Sequence, residues 1–153
     1  MKNFLMLYGK KTKMKIRNAK KEDLRSIAKL FLEESNKKPY NQNYTSKTIK
    51  LRVNNMFNFG SLYLALIDEN IVGFIAIAGE GKEEIYIDEF WIKSEYQKKG
   101  IGSELLKFVQ DKYKKKGAKA ISVMTSKKAG AFKFYRAFKF KENKETVILR
   151  KKI

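Results

Sequence analysis

The 153-residue chain contains neither cysteine nor histidine. That double absence removes thiol nucleophiles, Ser-His-Asp triads, imidazole bases, disulfide frameworks and the common zinc sites. Proton transfer is left to Asp, Glu, Tyr, Lys or water, and no metal is expected. Proline occurs once, at Pro39, within a stretch from Asn36 to Tyr44 that reads as a loop. No apolar run reaches the length of a membrane span. Phe4-Leu5-Met6-Leu7-Tyr8 is too short for a signal-peptide core and no small-residue cleavage site follows it, so a cytoplasmic location is expected. Acidic residues are also scarce, 16 against 35 Lys and Arg, for a net charge of +19. The imbalance is uneven: residues 93–153 hold 19 basic and 5 acidic side chains (+14), residues 1–92 hold 16 and 11 (+5). Most such charges sit on solvated surface, but the field they create draws in phosphorylated small molecules, RNA, DNA or an anionic membrane.

With 43% hydrophobic and 13% aromatic residues, the chain has enough apolar surface to fold as one domain. Residues 1–13 read as an N-terminal extension, appended or disordered, because the alternating run Met14 to Ala19 can begin a compact domain by itself. Helices are predicted over Glu22 to Ser35 and Ser46 to Asn58. Strands Ser61 to Ile67 and Ile71 to Ala78 flank Asp68-Glu69-Asn70, a hairpin signal. Gly79-Glu80-Gly81-Lys82 then turns into a strand from Glu83 to Ile92. A helix from Ile101 to Lys116 ends at Gly117, where a C-terminal glycine belongs. Strand Ala120 to Thr125, helix Ala129 to Phe138 and a strand pair, Phe140 to Glu142 and Thr146 to Lys151, complete the order.

The most specific stretch is Gln97-Lys98-Lys99-Gly100-Ile101-Gly102-Ser103, between an apolar strand and an amphipathic helix. Two lysines and two glycines meet a helix N-terminus there. Unpaired backbone N–H groups and the positive end of the helix dipole favour an anion, and glycine lets the backbone approach it closely. A pyrophosphate-bearing cofactor is the expectation. A nucleotide-triphosphate loop needs Gly-x-x-x-x-Gly-Lys-Ser/Thr, which is absent, and a dinucleotide fingerprint needs glycine where Leu105 stands.

Phe90-Trp91-Ile92-Lys93-Ser94-Glu95-Tyr96-Gln97-Lys98-Lys99-Gly100-Ile101-Gly102 resembles the central signature of the GNAT N-acetyltransferases: an apolar strand, Gln/Arg-x-x-Gly-x-Gly/Ala, then a helix. Ser94 stands where the family usually has proline. A second family signature, Asn-x-x-Ala-x-x-Phe-Tyr followed by Gly-Phe, is similar to Lys128 through Tyr135 and then Lys139-Phe140, with lysines replacing its Asn and Gly. The resemblance spans Met14 to the C-terminus. It implies an α/β (α+β) fold, a mixed, mostly antiparallel sheet with helices on both faces, and a single acetyltransferase domain at 14–153. It also implies acetyl-coenzyme A as cosubstrate. Its pyrophosphate would lie on the turn from Gln97 through Lys98, Lys99, Gly100, Ile101 and Gly102 to Ser103, with Lys128 and Ala131 nearby. Its pantetheine arm would pair with the backbone of Phe90, Trp91 and Ile92.

Amines attack thioesters only when unprotonated, so a carboxylate or a water must take a proton. Asp88 and Glu89, embedded among Ile85-Tyr86-Ile87 and Phe90-Trp91-Ile92, are the candidates. Strand alternation sets them on opposite faces unless the strand bulges. Glu89 has the longer reach to a water, each can equally be paired with a surface lysine, and a water chain alone is the third option. The family places a base elsewhere in other members, but that following-strand position offers no carboxylate here, where Ser122-Val123-Met124-Thr125 stand. The resemblance gives Tyr135 the role of general acid toward the leaving thiolate. Without it, Phe132, Phe134, Tyr135 and Phe138 read as a core-facing stripe. The acceptor is expected to be a primary amine of a small molecule or protein, and the enzyme a monomer or homodimer. The alternative is a basic nucleic-acid-binding or ribosome-associated module on the same fold, since Lys112-Tyr113-Lys114-Lys115-Lys116 and Lys133-Phe134-Tyr135-Arg136 interleave aromatic and basic side chains.

Overall fold

The computed structural model describes residues 2–7, 9–79 and 83–153; the expected turn at 80–82 lies outside them. Among the described residues, six strands form one sheet in sequential order. Strand β1 (Lys2–Leu7) pairs antiparallel with β2 (Lys10–Asn18), and β2 with β3 (Ser61–Ile67). The stretch read as an extension thus carries an edge strand, and the strand expected to begin at Met14 begins at Lys10. Strands β3 and β4 (Asn70–Ala78) form the expected hairpin. Its central residues Asp68 and Glu69 both have positive φ, +48° and +62°, the backbone twist a two-residue hairpin requires. Strand β5 (Glu84–Ile92) pairs antiparallel with β4, and β6 (Ala120–Val123) pairs parallel with β5. A parallel pair needs a long crossover, and helix α3 (Ile101–Lys115) supplies it.

The hairpin strands are apolar on both sides because both faces are covered. Leu62, Leu64, Leu66 and Phe74 pack with Ile27 and Phe31 of α1 (Leu24–Asn36) and with Ile49 and Val53 of α2 (Ser46–Phe59). The alternate residues Tyr63, Ala65, Ile67 and Ile75 pack with Leu105 and Val109 of α3 and Tyr135 of α4 (Gly130–Ala137). Helix α2 begins where Thr45 accepts a hydrogen bond from the Thr48 backbone N–H at 3.2 Å, an N-cap that satisfies one orphan donor.

The expected strand pair at Phe140 to Glu142 and Thr146 to Lys151 does not form. Val147, Ile148 and Leu149 are exposed instead. Three consecutive apolar residues between Thr146 and Arg150 have no alternation to bury, so propensity alone does not make a strand there.

Candidate active site

Strand β5 carries a register shift against β4: Ala76 is opposite Glu89, but Ile77 is opposite Ile87, so Asp88 is the extra residue of a bulge. The bulge overrides the alternation, and Asp88 and Glu89 line the same cleft. It also marks where the sheet opens. Pairing between β5 and β6 runs from Glu84↔Ala120 to Ile87↔Val123 and goes no further. The cleft lies beyond that last pair, and Tyr40, Trp91, Met124, Ala131 and Tyr135 complete its walls.

The turn into α3 follows from β5 through a short 3-10 turn, Ser94–Tyr96. Lys98 (φ +57°) and Gly100 (φ +84°) are left-handed, and Gly100 occupies the N-cap. Lys99 Nζ donates to the Glu95 carbonyl at 2.6 Å and lies 5.7 Å from the Tyr96 ring centre, so this lysine also braces the turn. Gln97 Nε2 donates to the Ile92 carbonyl at 2.8 Å. That contact uses one of the β5 backbone groups expected to meet a pantetheine arm. Ile101 is buried in the core and anchors the helix start, with Gly102 and Ser103 half-buried behind it. A Cβ on Gly102 would meet only ordinary contacts, Phe134 at 3.6 Å and Ile92 at 3.7 Å. Packing does not demand glycine there, whereas an anion approaching the first-turn N–H groups would. Phe90 packs edge-on against Phe134, 5.7 Å between ring centres. Lys128 is exposed, away from the cleft lining.

Helix α4 holds Tyr135 by its own termination. The Lys139 N–H donates to the Arg136 carbonyl at 3.0 Å and the Phe140 N–H to the Tyr135 carbonyl at 3.1 Å, the paired bonds of a Schellman motif. Phe140 closes it by packing on the Tyr135 ring at 5.2 Å. Lys139, at the position where the second signature has glycine, adopts the glycine-like φ of +64°. The turn geometry is therefore kept despite the lysine. Tyr135 is only 6% exposed. Burial first, then Tyr40 and Glu89, push its phenol well above its ordinary range. Of the aromatic stripe, Phe134, Tyr135 and Phe138 face the core and Phe132 does not, while the Tyr135 ring also reaches the cleft.

Glu89 is held by residues that sequence spacing does not single out. Arg52 of α2 pairs with its Oε1, and Trp91 Nε1 donates to its Oε2 at 2.7 Å. Arg52 in turn donates to the Tyr44 hydroxyl at 3.0 Å and sits over the Phe31 and Tyr44 rings. Burial, the largest influence, pushes the Glu89 carboxyl above the usual range; Trp91 and Arg52 pull it down and Asp88 pushes it up. Glu34 on α1 is buried too, yet falls on the other side: burial would raise it, but Lys37 at 2.7 Å and Ser94 at 2.6 Å hold it below the usual range. Ser94, standing at the signature's proline position, thus ties α1 to the turn before α3. Tyr40 stacks edge-on against Trp91 at 4.9 Å.

Residues 22–140 match the acetyltransferase (GNAT) family. The chain belongs to that family. No curated protein matches the sequence. Among solved structures, this GNAT chain superposes on a possible acetyltransferase from Clostridium difficile 630 with a TM-score of 0.78 at 17% identity, covering 92% of this chain and 98% of that one. An aminoglycoside N-acetyltransferase, AAC(6')-Iy, in complex with CoA gives 0.74 at 16% identity over 96% and 100%. An aminoglycoside acetyltransferase from an uncultured soil metagenomic sample, in complex with sisomicin, gives 0.68 at 22% over 92% and 96%. At these identities the likeness establishes the GNAT fold. Tyr113, which with its lysines suggested a base-stacking surface, is buried in that fold.

Proposed function

We propose that this GNAT protein transfers an acetyl group from acetyl-coenzyme A to a primary amine in the cytoplasm. The observation that carries the reading is the convergence of Tyr135, Asp88 and Glu89 on one cleft, at the point where β5 and β6 part. CoA-bound relatives of the same fold support the cosubstrate. The residues fit it: the left-handed Gly100 opens α3 toward an anion, and Gly102 is glycine for no packing reason.

A bound acetyl thioester supplies an electrophilic carbonyl carbon. The amine nitrogen bonds to that carbon and the carbon–sulfur bond breaks. Glu89 accepts the ammonium proton, directly or through one water, since each carboxylate oxygen keeps a lone pair beyond its present bond. A carboxyl raised by burial is a stronger base than an exposed one. With burial pushing its phenol above the ordinary range, Tyr135 keeps its proton near neutral pH, where that proton is available to the departing sulfur. Because its phenol is shifted upward, it stabilises the developing thiolate chiefly as a hydrogen-bond donor in the transition state. Lys98 and Lys99 contribute through the field at the phosphates.

Calorimetry and thermal shift test the cosubstrate. Acetyl-coenzyme A should raise the melting temperature by mass action and NAD or ATP far less; no binding at millimolar acetyl-coenzyme A would overturn the reading.

A further inference from the structure

A second cavity, of about 380 Å³, lies beside the cleft and shares Asp88 with it. Its wall combines Arg52 with the apolar surfaces of Met56, Phe59, Ile77 and Ala78. The size is that of a small-molecule pocket. Two features set its chemistry. The first is charge: Arg52 is already neutralised by Glu89, whereas Asp88 has no ion pair among the described residues. In a chain of net charge +19, the unspent charge at this pocket is negative and single. The second is Phe59, the last residue of α2, which is 82% exposed. Lining the cavity and exposed, its ring is accessible to the apolar body of a ligand.

From these we infer that the cavity is the acceptor subsite and that it takes a monoamine carrying an apolar or aromatic body, of the arylalkylamine class. The ammonium docks at Asp88, and the body lies along Met56, Phe59, Ile77 and Ala78. The inference rests on the acetyltransferase reading above. Because Asp88 lines both cavities, an amine bound there sits at the mouth of the cleft that holds Glu89 and Tyr135. A polycationic acceptor such as an aminoglycoside asks for several unpaired carboxylates, and the two cavities provide Asp88 and an Arg52-bound Glu89. One ammonium is what this charge balance accommodates.

The test is a steady-state comparison of phenethylamine, ethylamine, spermidine and kanamycin with acetyl-coenzyme A, on the unmodified protein and on Asp88→Asn and Phe59→Ser. Both substituted side chains are exposed, so the variants should fold; circular dichroism checks this. Phenethylamine is expected to have the highest kcat/KM by roughly 10-fold or more. Asp88→Asn should raise the KM for every amine several-fold, and because Asp88 also raises the Glu89 carboxyl, the acid limb of kcat should move to lower pH. Phe59→Ser should raise the KM for phenethylamine several-fold and leave that for ethylamine alone. Acetyl-coenzyme A binding with spermidine or kanamycin preferred, with no turnover of phenethylamine, or with KM values indifferent to both substitutions overturns the acceptor assignment and leaves the acetyltransferase reading intact. Absence of acetyl-coenzyme A binding overturns the reading on which it rests.

Discussion

The two ends of the site are built by different means. The turn from Gln97 to Ser103 is made of backbone: a left-handed Gly100, a Gly102 without a side chain and the free N–H groups of a helix start. The carboxylate side of the cleft is made of side chains brought from separate elements, Arg52 and Tyr44 around Glu89 and Trp91, with Asp88 raised by a bulge. A backbone site depends on space, so it should fail abruptly when a side chain intrudes. A side-chain site depends on charge balance, so it should fail gradually and shift with pH.

The sharpest break in that contrast is Gly102→Leu. It should weaken acetyl-coenzyme A by roughly 100-fold or more, because a bulky side chain blocks the approach to the first-turn N–H groups. Because the side chain starts 3.6 Å from Phe134 and 3.7 Å from Ile92, some melting temperature is lost as well, and calorimetry on the folded variant together with thermal unfolding separates the two effects. A variant that binds normally would make the turn structural only.

Glu89→Gln probes the other end. Since burial raises the Glu89 carboxyl, the rate of the unmodified enzyme should rise with pH through a value above the ordinary carboxylate range. The variant should lose roughly 100-fold in kcat and lose that acid limb. Arg52→Met sharpens the point with a smaller effect: without its cation, Glu89 should titrate still higher and the limb should move to higher pH. A pH–rate profile in which the limb stays put would separate Arg52 from the base. The third carboxylate, Glu34, predicts a stability effect of opposite sign. Its folded-state pKa is lowered, so its contribution is present above its unfolded pKa and fades as pH falls through the folded value. Glu34→Gln should therefore flatten the acid side of the stability curve without moving the acid limb of the rate.

The smallest effect concerns the Schellman turn behind Tyr135. Lys139→Gly should relieve a left-handed lysine and raise stability by about 1 kcal/mol or less, as the entropy of glycine offsets part of the gain. Denaturant melts resolve it.

The same contrast explains what could be read in the chain itself. Gly100, Gly102 and Gly117 stand where backbone conformation or close approach favours glycine, and the Asp68-Glu69 turn declares itself between two apolar runs, so the fold and the turn are local signals. The Arg52–Glu89 pair joins residues 37 positions apart and Ser94–Glu34 joins residues 60 apart; no local spacing encodes either. The bulge at Asp88 left no mark in the sequence beyond two adjacent carboxylates. Lys139 shows the reverse case, a left-handed position occupied by a residue that does not advertise it. The tail misled because Val147, Ile148 and Leu149 have strand propensity without a surface to cover them.

The most direct measurement is Tyr135→Phe, which deletes one proton while keeping the ring that packs on Phe134 and Phe140. If Tyr135 donates to the departing sulfur, turnover should fall roughly 10- to 1,000-fold with acetyl-coenzyme A affinity and melting temperature little changed. Full activity across pH in the variant would show that Tyr135 is a core aromatic and that the thiolate leaves without its help.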